Sequence, residues 1–365
     1  MATPEGTRRY RDRLKPQATA GHFRESQGLT MSSIGLGTYL GESDDETDDR
    51  YRKSIVRAVG LGVNVIDSAI NYRFQRSERS IGAALRDLHE SGTASRDELV
   101  IATKAGFLSF DGVRPADPQD YFVKTYLDTG LLQPDDIAAG SHAMTPRYLE
   151  NQLDRSLKNL DLDVIDIFYI HNPETQLEEI SREMFFERLR ASFEFLESAI
   201  SDGKIRMYGT STWNAYRIPG NARGFLSLSE VVQCARDVAG EDHHFAFVQL
   251  PYNLAMREAY GHRNQPVGGR SLSTLEAAAE LGITVIASAS ILQDRLSRNL
   301  PESVTQQLPN LRTDSQRAIQ FVRSTPGIRT ALVGMSRPEH VEENLYLAKI
   351  APLSPEAIQS MFNAT

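Results

Sequence analysis

Short apolar runs alternate along this chain with segments whose apolar side chains recur every three or four positions. The first pattern suits strands buried on both faces, the second helices with one buried stripe. Strands are predicted over 33–38, 63–67, 98–104, 164–171, 204–210, 245–250, 283–288 and 328–333. Helices are predicted over about 48–60, 77–90, 146–160, 181–202, 224–239, 271–281, 312–324 and 338–349. Ile81, Leu85 and Leu88 mark one face of the second helix; Leu149, Leu153 and Leu157 mark one face of the third. Pro146 suits a first helical turn and Gly203 a helix stop. Eight strand–helix pairs predict an α/β fold that closes into a parallel (β/α)8 TIM barrel rather than an open doubly wound sheet.

Several segments break the rhythm. Residues 1–20, with a basic start, read as a disordered or loosely docked arm, and 21–365 as a single barrel domain. Gly21 to Met31 suits a short hairpin that would plug the N-terminal mouth. The stretches 105–145 and 289–310 follow strand C-termini, so both fall on the face where such barrels build their sites. The aromatics of 105–145 suit either a hydrophobic cluster of their own or a pocket wall. The polar, glycine-rich 260–270 reads as mobile, and the acidic run 42–49 as a solvated helix start.

Composition narrows the classes. The 365 residues are 40% hydrophobic and 24% charged with net charge −8, and no basic stripe favours nucleic acid. The apolar runs are too short to span a bilayer. A single cysteine, Cys234, excludes an internal disulfide and reads as core. With no apolar leader the expected compartment is the cytoplasm. His243 and His244 would face opposite sides of a strand, and no metal set is expected. Gly35-Leu36-Gly37 follows a strand, but Glu42, Asp44, Asp45 and Glu46 would repel a pyrophosphate at the helix behind it.

Candidate chemistry lies at three successive strand ends. Asp67 closes 63–67, with Tyr72 just beyond it; Lys104 closes 98–104; His171 closes 164–171. An ammonium beside a phenol stabilises the phenolate, so Lys104 is expected to lower the Tyr72 pKa while Asp67 holds the lysine. A neutral His171 can hydrogen-bond a carbonyl oxygen. Together the four suit polarisation and protonation of a carbonyl. They contain no nucleophile or metal set, so the other reactant is expected from a cofactor.

The segment Gly62 to Tyr72, the Lys104 strand end and Tyr169-Ile170-His171 resemble the aldo-keto reductase family. Ile34-Gly35-Leu36-Gly37-Thr38, Tyr208-Gly209-Thr210-Ser211-Thr212, Phe247 to Asn253 and Gly334 to Asn344 resemble further motifs of that family in the same order. The resemblance implies a TIM barrel that binds NADPH or NADP+, rather than NADH, and a small-molecule carbonyl or alcohol substrate. Tyr72 would be general acid/base, with Asp67, Lys104 and His171 as its partners. Gly37, Thr38 and Tyr39 would lie near the nicotinamide, and Ser211, Thr212 and Gln249 at its carboxamide. Ser288 would lie beneath the ring, and Ser336, Arg337, His340 and Asn344 at the adenosine end, with Arg337 suited to a 2′-phosphate.

The chain departs from the family pattern in three places. Thr212 stands for an asparagine, Ser288 for a stacking aromatic, and Asp294 for a loop glycine. A carboxylate at 294 would disfavour a pyrophosphate unless paired with Arg295 or Arg298. Tyr39, Phe107, Trp213 and Tyr252 are the expected pocket lining. The alternative reading is a cofactor-binding barrel with a regulatory or structural role and little turnover. Oligomeric state is left open by the sequence.

Overall fold

The computed structural model describes residues 1–363. Strands β1 (Phe23–Ser26) and β2 (Leu29–Ser32) form an antiparallel hairpin. After them come β3 (Ile34–Gly37), β4 (Val65–Asp67), β5 (Val100–Ala105), β6 (Ile165–His171), β7 (Ile205–Ser211) and β8 (Phe245–Pro251). Then β9 (Gln265–Val267) pairs antiparallel with β10 (Arg270–Leu272), and β11 (Thr284–Ser288) and β12 (Ile328–Gly334) follow. Strands β3 to β8, β11 and β12 close an all-parallel barrel, β12 returning to β3. Helices Asp45–Gly60, Arg76–Glu90, Pro146–Leu160, Arg182–Ser201, Leu228–Ala239, Thr274–Glu280, Asp314–Ser324 and Pro338–Leu345 alternate with these strands. Each predicted strand and helix is present, with ends shifted by a few residues.

The period-two geometry of the strands sets what faces inward. Val65, Val100, Ala102, Ile167, Tyr169, Met207, Phe247, Ile286 and Leu332 pack together inside the barrel. The residues that alternate with them, Ile66, Ile101, Phe168, Ile170, Tyr208, Val248 and Val285, pack outward against the helices. Counting on by two from the inner set gives Asp67, Lys104, His171, Ser211, Gln249 and Ser288. The same alternation that builds the inner core therefore delivers these six side chains to one end of the barrel.

The N-terminal segment departs from expectation. Residues Pro4–Leu14 form a helix whose N-cap, Thr3, accepts the Gly6 N–H. It is docked: Tyr10 and Leu14 are buried, and Tyr10 Oη donates to Val63 O at 2.9 Å. Arg9 and Arg13 both pair with Glu98, so the basic start, read as a disordered or loosely docked arm, is held firmly. Leu29 and Met31 of the hairpin join the inner core as a plug, as expected. The stretch expected to be mobile, 260–270, contains β9 and enters β10, anchored through buried Val267 and Leu272. Residues 105–145 hold a helix, Pro118–Phe122, running into a π-helical turn, Val123–Leu127, over buried Leu108, Tyr126, Leu132 and Tyr148. Within the acidic run, Asp48 takes Arg73 and Arg76, and Asp44 caps the helix through the Thr47 N–H.

His22, buried under the hairpin, places Nε2 at 3.0 Å from Gly62 O and Nδ1 at 3.2 Å from Ser33 Oγ. Burial pushes its pKa down to about 3, with Arg323 adding repulsion. A depressed folded-state value contributes stability above the free histidine pKa that is lost as pH falls towards the folded one. The urea midpoint is therefore expected to fall as pH drops from about 6.5 towards 3. His22→Gln is expected to flatten that slope; an unchanged slope would contradict this role.

Candidate active site

The six inward side chains meet at the C-terminal end of the barrel. Lys104 Nζ donates to Asp67 Oδ2 and to Ser68 O, both at 2.6 Å. Gln249 Nε2 donates to Asp67 Oδ1 at 2.7 Å, and Ser211 Oγ donates to Gln249 Oε1 at 3.1 Å. One carboxylate thus ties β4 to β5 and, across the barrel, to β8 and β7. Burial pushes the Asp67 carboxyl up and the Lys104 ammonium down, while their mutual attraction opposes both shifts. With two donors on the carboxylate and two acceptors on the ammonium, the ionised pair is the favoured form.

Tyr72 leaves the strand end on a short turn and stands over this pair, with Lys104 Nζ 5.0 Å from its ring centroid. Its pKa is raised well above 10, first by burial, then by the Asp67 charge and by Tyr39. This corrects the expectation that Lys104 lowers it. The ammonium is committed to Asp67 and Ser68. The phenol therefore keeps its proton. His171 is held well below 6.5 by burial, by Lys104 and by His142, so its imidazole is neutral. Its Nδ1 is buried without a partner among the described residues, and its ring stands edge-on to Tyr72 at 5.9 Å.

The His171 backbone is fixed from the long loop. His142 Nε2 meets His171 O at 2.7 Å, and Gln176 Nε2 meets His142 Nδ1 at 2.9 Å. A side chain at Gly106 would place its Cβ 2.5 Å from His171 O, so this approach requires glycine. Phe107 stands edge-on to both histidines. The other aromatics of that loop, Phe110, Tyr121, Phe122 and Tyr126, pack on one another. The loop is thus a cluster that contributes one ring to the site.

A cavity of about 770 Å³ opens over these groups, well within the range of ligand sites. Gly37, Thr38, Tyr39, Asp67, Tyr72, Phe107, His171, Ser211, Thr212, Trp213, Gln249, Ser288, Ser336, His340 and Asn344 line it. Lys104 lies beneath the lining, fully buried. Tyr252 does not belong to it: its ring is buried outside the barrel, stacked on Phe321, with the hydroxyl near Thr325. The reason is parity, since position 252 follows the inward residues 247 and 249 on the outward count. Arg337 is exposed at the start of the 338–345 helix, off the cavity wall. Trp213 is held by its backbone, whose N–H donates to Glu174 Oε1 at 2.7 Å.

Sequence reasoning missed Leu40, Tyr51, Asn71, Asn172, Ser290 and Glu343 on the wall. Asn71 and Asn172 adjoin residues that were found, which is the signal that could have flagged them. Asp294 pairs with Arg298 at 2.9 Å, one of the two partners required of it.

The model of the "Aldo/keto reductase family" matches residues 33–291. The chain belongs to the aldo/keto reductase family. It is 24% identical to the "Putative voltage-gated potassium channel subunit beta" of Schizosaccharomyces pombe, covering 96% of each chain. It is 24% identical to the "D-threo-aldose 1-dehydrogenase" of Pseudomonas sp, covering 88% of this chain and 91% of that one. Among solved structures, a Bacillus halodurans aldo-keto reductase in its holo form superposes with a TM-score of 0.65 at 18% identity, covering 94% of this chain and 96% of that one. A Klebsiella pneumoniae aldo/keto reductase in complex with NADP and acetate gives 0.62 at 20% identity, with 94% and 95% covered. At these identities the structural likeness speaks for the fold.

The wall also passes a chemical test for a polar ligand. Thr212 Oγ1, Ser290 Oγ and Asn344 Oδ1 are buried without hydrogen-bond partners among the described residues. Such groups are costly in a folded chain unless a ligand or water satisfies them. A dinucleotide, with its carboxamide, ribose hydroxyls and amino group, carries matching donors and acceptors.

Removing one partner of the floor pair strands the other charge. Asp67→Asn is expected to destabilise the fold by about 3–5 kcal/mol in denaturant unfolding. Asp67→Asn combined with Lys104→Met is expected to recover part of that loss. A double variant no more stable than the single one would contradict the coupling.

Proposed function

We propose that this family member is an NADPH-dependent carbonyl reductase in which Tyr72 is the general acid. The reading rests on a neutral phenol in a ligand-sized cavity, beside a neutral imidazole and above an ion pair committed to itself. No nucleophile is activated in that arrangement. It can donate protons and hydrogen bonds to an oxygen on which negative charge develops.

Ser211, Thr212, Gln249, Ser290, Ser336, His340 and Asn344 would hold the dinucleotide, and Gly37, Thr38, Tyr39 and Ser288 would border its ring. When bound, the dihydronicotinamide supplies the hydride. Tyr72 Oη holds the proton that the substrate oxygen takes. An N–H of neutral His171 can donate a second hydrogen bond to that oxygen. Lys104, paired with Asp67 and 5.0 Å from the ring, forms the floor on which the phenol stands. Tyr39, Phe107 and Trp213, which line the cavity, would border the substrate. The reverse alcohol oxidation uses the same groups, with Tyr72 taking the alcohol proton. The preference for NADPH rests on Arg337, whose exposed guanidinium adjoins Ser336.

A second reading is supported by the names of relatives. The chain aligns over 96% of its length with the putative potassium channel subunit of Schizosaccharomyces pombe, so a cofactor-binding barrel with a regulatory role and little turnover is the alternative. Nicotinamide absorbance followed over a panel of aldehydes and ketones separates the two. Consumption of NADPH supports the reductase; bound NADPH with no consumption supports the regulatory barrel.

Within the reductase reading, Tyr72→Phe is expected to lower turnover by about 10²-fold or more. Its affinity for NADPH, read by fluorescence titration, is expected to stay within about threefold. Near-normal turnover would remove Tyr72 from the role.

A further inference from the structure

Two stretches of backbone flank the Tyr72 phenol. Arg73, Phe74 and Gln75, directly after it, have φ of 48°, 57° and 71°. Three successive residues with side chains therefore occupy the left-handed region, which persists only where the surroundings over-determine it. Facing this turn is the lip 38–44, which carries Tyr39 and Leu40 at the cavity mouth.

The lip is pinned along one edge. Thr38 O accepts from Ser77 Oγ at 2.7 Å, and Leu40 O from Tyr51 Oη at 2.6 Å. Glu42 O accepts from Arg73 Nε at 2.7 Å, and Asp44 O from Arg73 Nη2 at 3.3 Å. Four alternate carbonyls are thus held by three side chains, and Arg73 holds two of them. Its guanidinium is buried, pairs with Asp48 at 2.5 Å and lies over the Tyr51 ring. It does not line the cavity. The far side of the turn is tied to the long loop: Gln75 Nε2 donates to Phe110 O at 3.0 Å, and Phe74 packs edge-on to Phe110.

We infer that Arg73 is a positioning residue: by joining the lip to the left-handed turn it fixes the edge-to-face pair of Tyr39 and Tyr72, and so fixes where the acid stands. The ring centroids of that pair are 4.9 Å apart at 65°. The inference rests on the reading of Tyr72 as the acid. A planar fork reaches Glu42 O, Asp44 O and Asp48 at once, which one ammonium cannot do, so lysine is a partial substitute at best.

The test uses the full chain with NADPH and an aldehyde that the wild type reduces. Arg73→Ala is expected to lower kcat by roughly 10- to 100-fold, the scale of a slightly misplaced catalytic group, while cofactor affinity stays within about threefold. Its primary deuterium isotope effect on kcat is expected to rise as the chemical step slows. Arg73→Lys and Asp48→Asn should fall between it and wild type. If kcat instead tracks only the folded, cofactor-binding fraction, with the isotope effect unchanged, the inference is overturned. Amide hydrogen exchange gives a readout without turnover. Faster exchange in both 38–44 and 71–76 is expected for Arg73→Ala, and acceleration in neither overturns the inference. Wild-type protein that binds NADPH but reduces no carbonyl sinks the reading of Tyr72, and exchange then judges the bridge alone. If Arg73→Ala does not fold, Asp48→Asn carries both measurements.

Discussion

The site depends on one buried ion pair. Asp67 and Lys104 lie inside the barrel, where an unpaired charge would be too costly to keep. Each must satisfy the other, and the geometry that does so also recruits Gln249, Ser211 and the Ser68 carbonyl. Strands β4, β5, β7 and β8 are thereby held to a common depth at the end where the cavity opens. The pair also sets the chemistry above it. Because the ammonium is neutralised, it does not pull the proton from Tyr72, and the nearby carboxylate helps to keep it there.

The barrel was legible because its strands obey period two and its helices a period near 3.6. Asp67, Lys104 and His171 could be read as one constellation because all end strands, and parity then turned all three inward. The same rule, applied to Tyr252, would have excluded it: two residues inward at 247 and 249 put 252 on the outer side. The N-terminal helix was hidden by composition. Its arginines looked like a solvated arm because their partners, Asp97 and Glu98, lie far along the chain.

Other parts were illegible for physical reasons. The direction of the Tyr72 shift depends on whether Lys104 is already neutralised and on how deeply the phenol is buried, and neither follows from spacing. The left-handed run 73–75 contains no glycine to announce it. It is made possible by contacts to residues 42–48 and 110, which no local pattern connects. The acidic run 42–49 read as solvent-facing, yet part of it receives Arg73 and Arg76.

The central claim is that the floor pair leaves Tyr72 a neutral acid. Ultraviolet difference titration of wild type against Tyr72→Phe, without cofactor, isolates the ionisation of this phenol. The account predicts no phenolate signal from Tyr72 up to the ordinary tyrosine value of about 10. A Tyr72 signal that titrates with a midpoint at or below about 10, the ordinary tyrosine value, would contradict it.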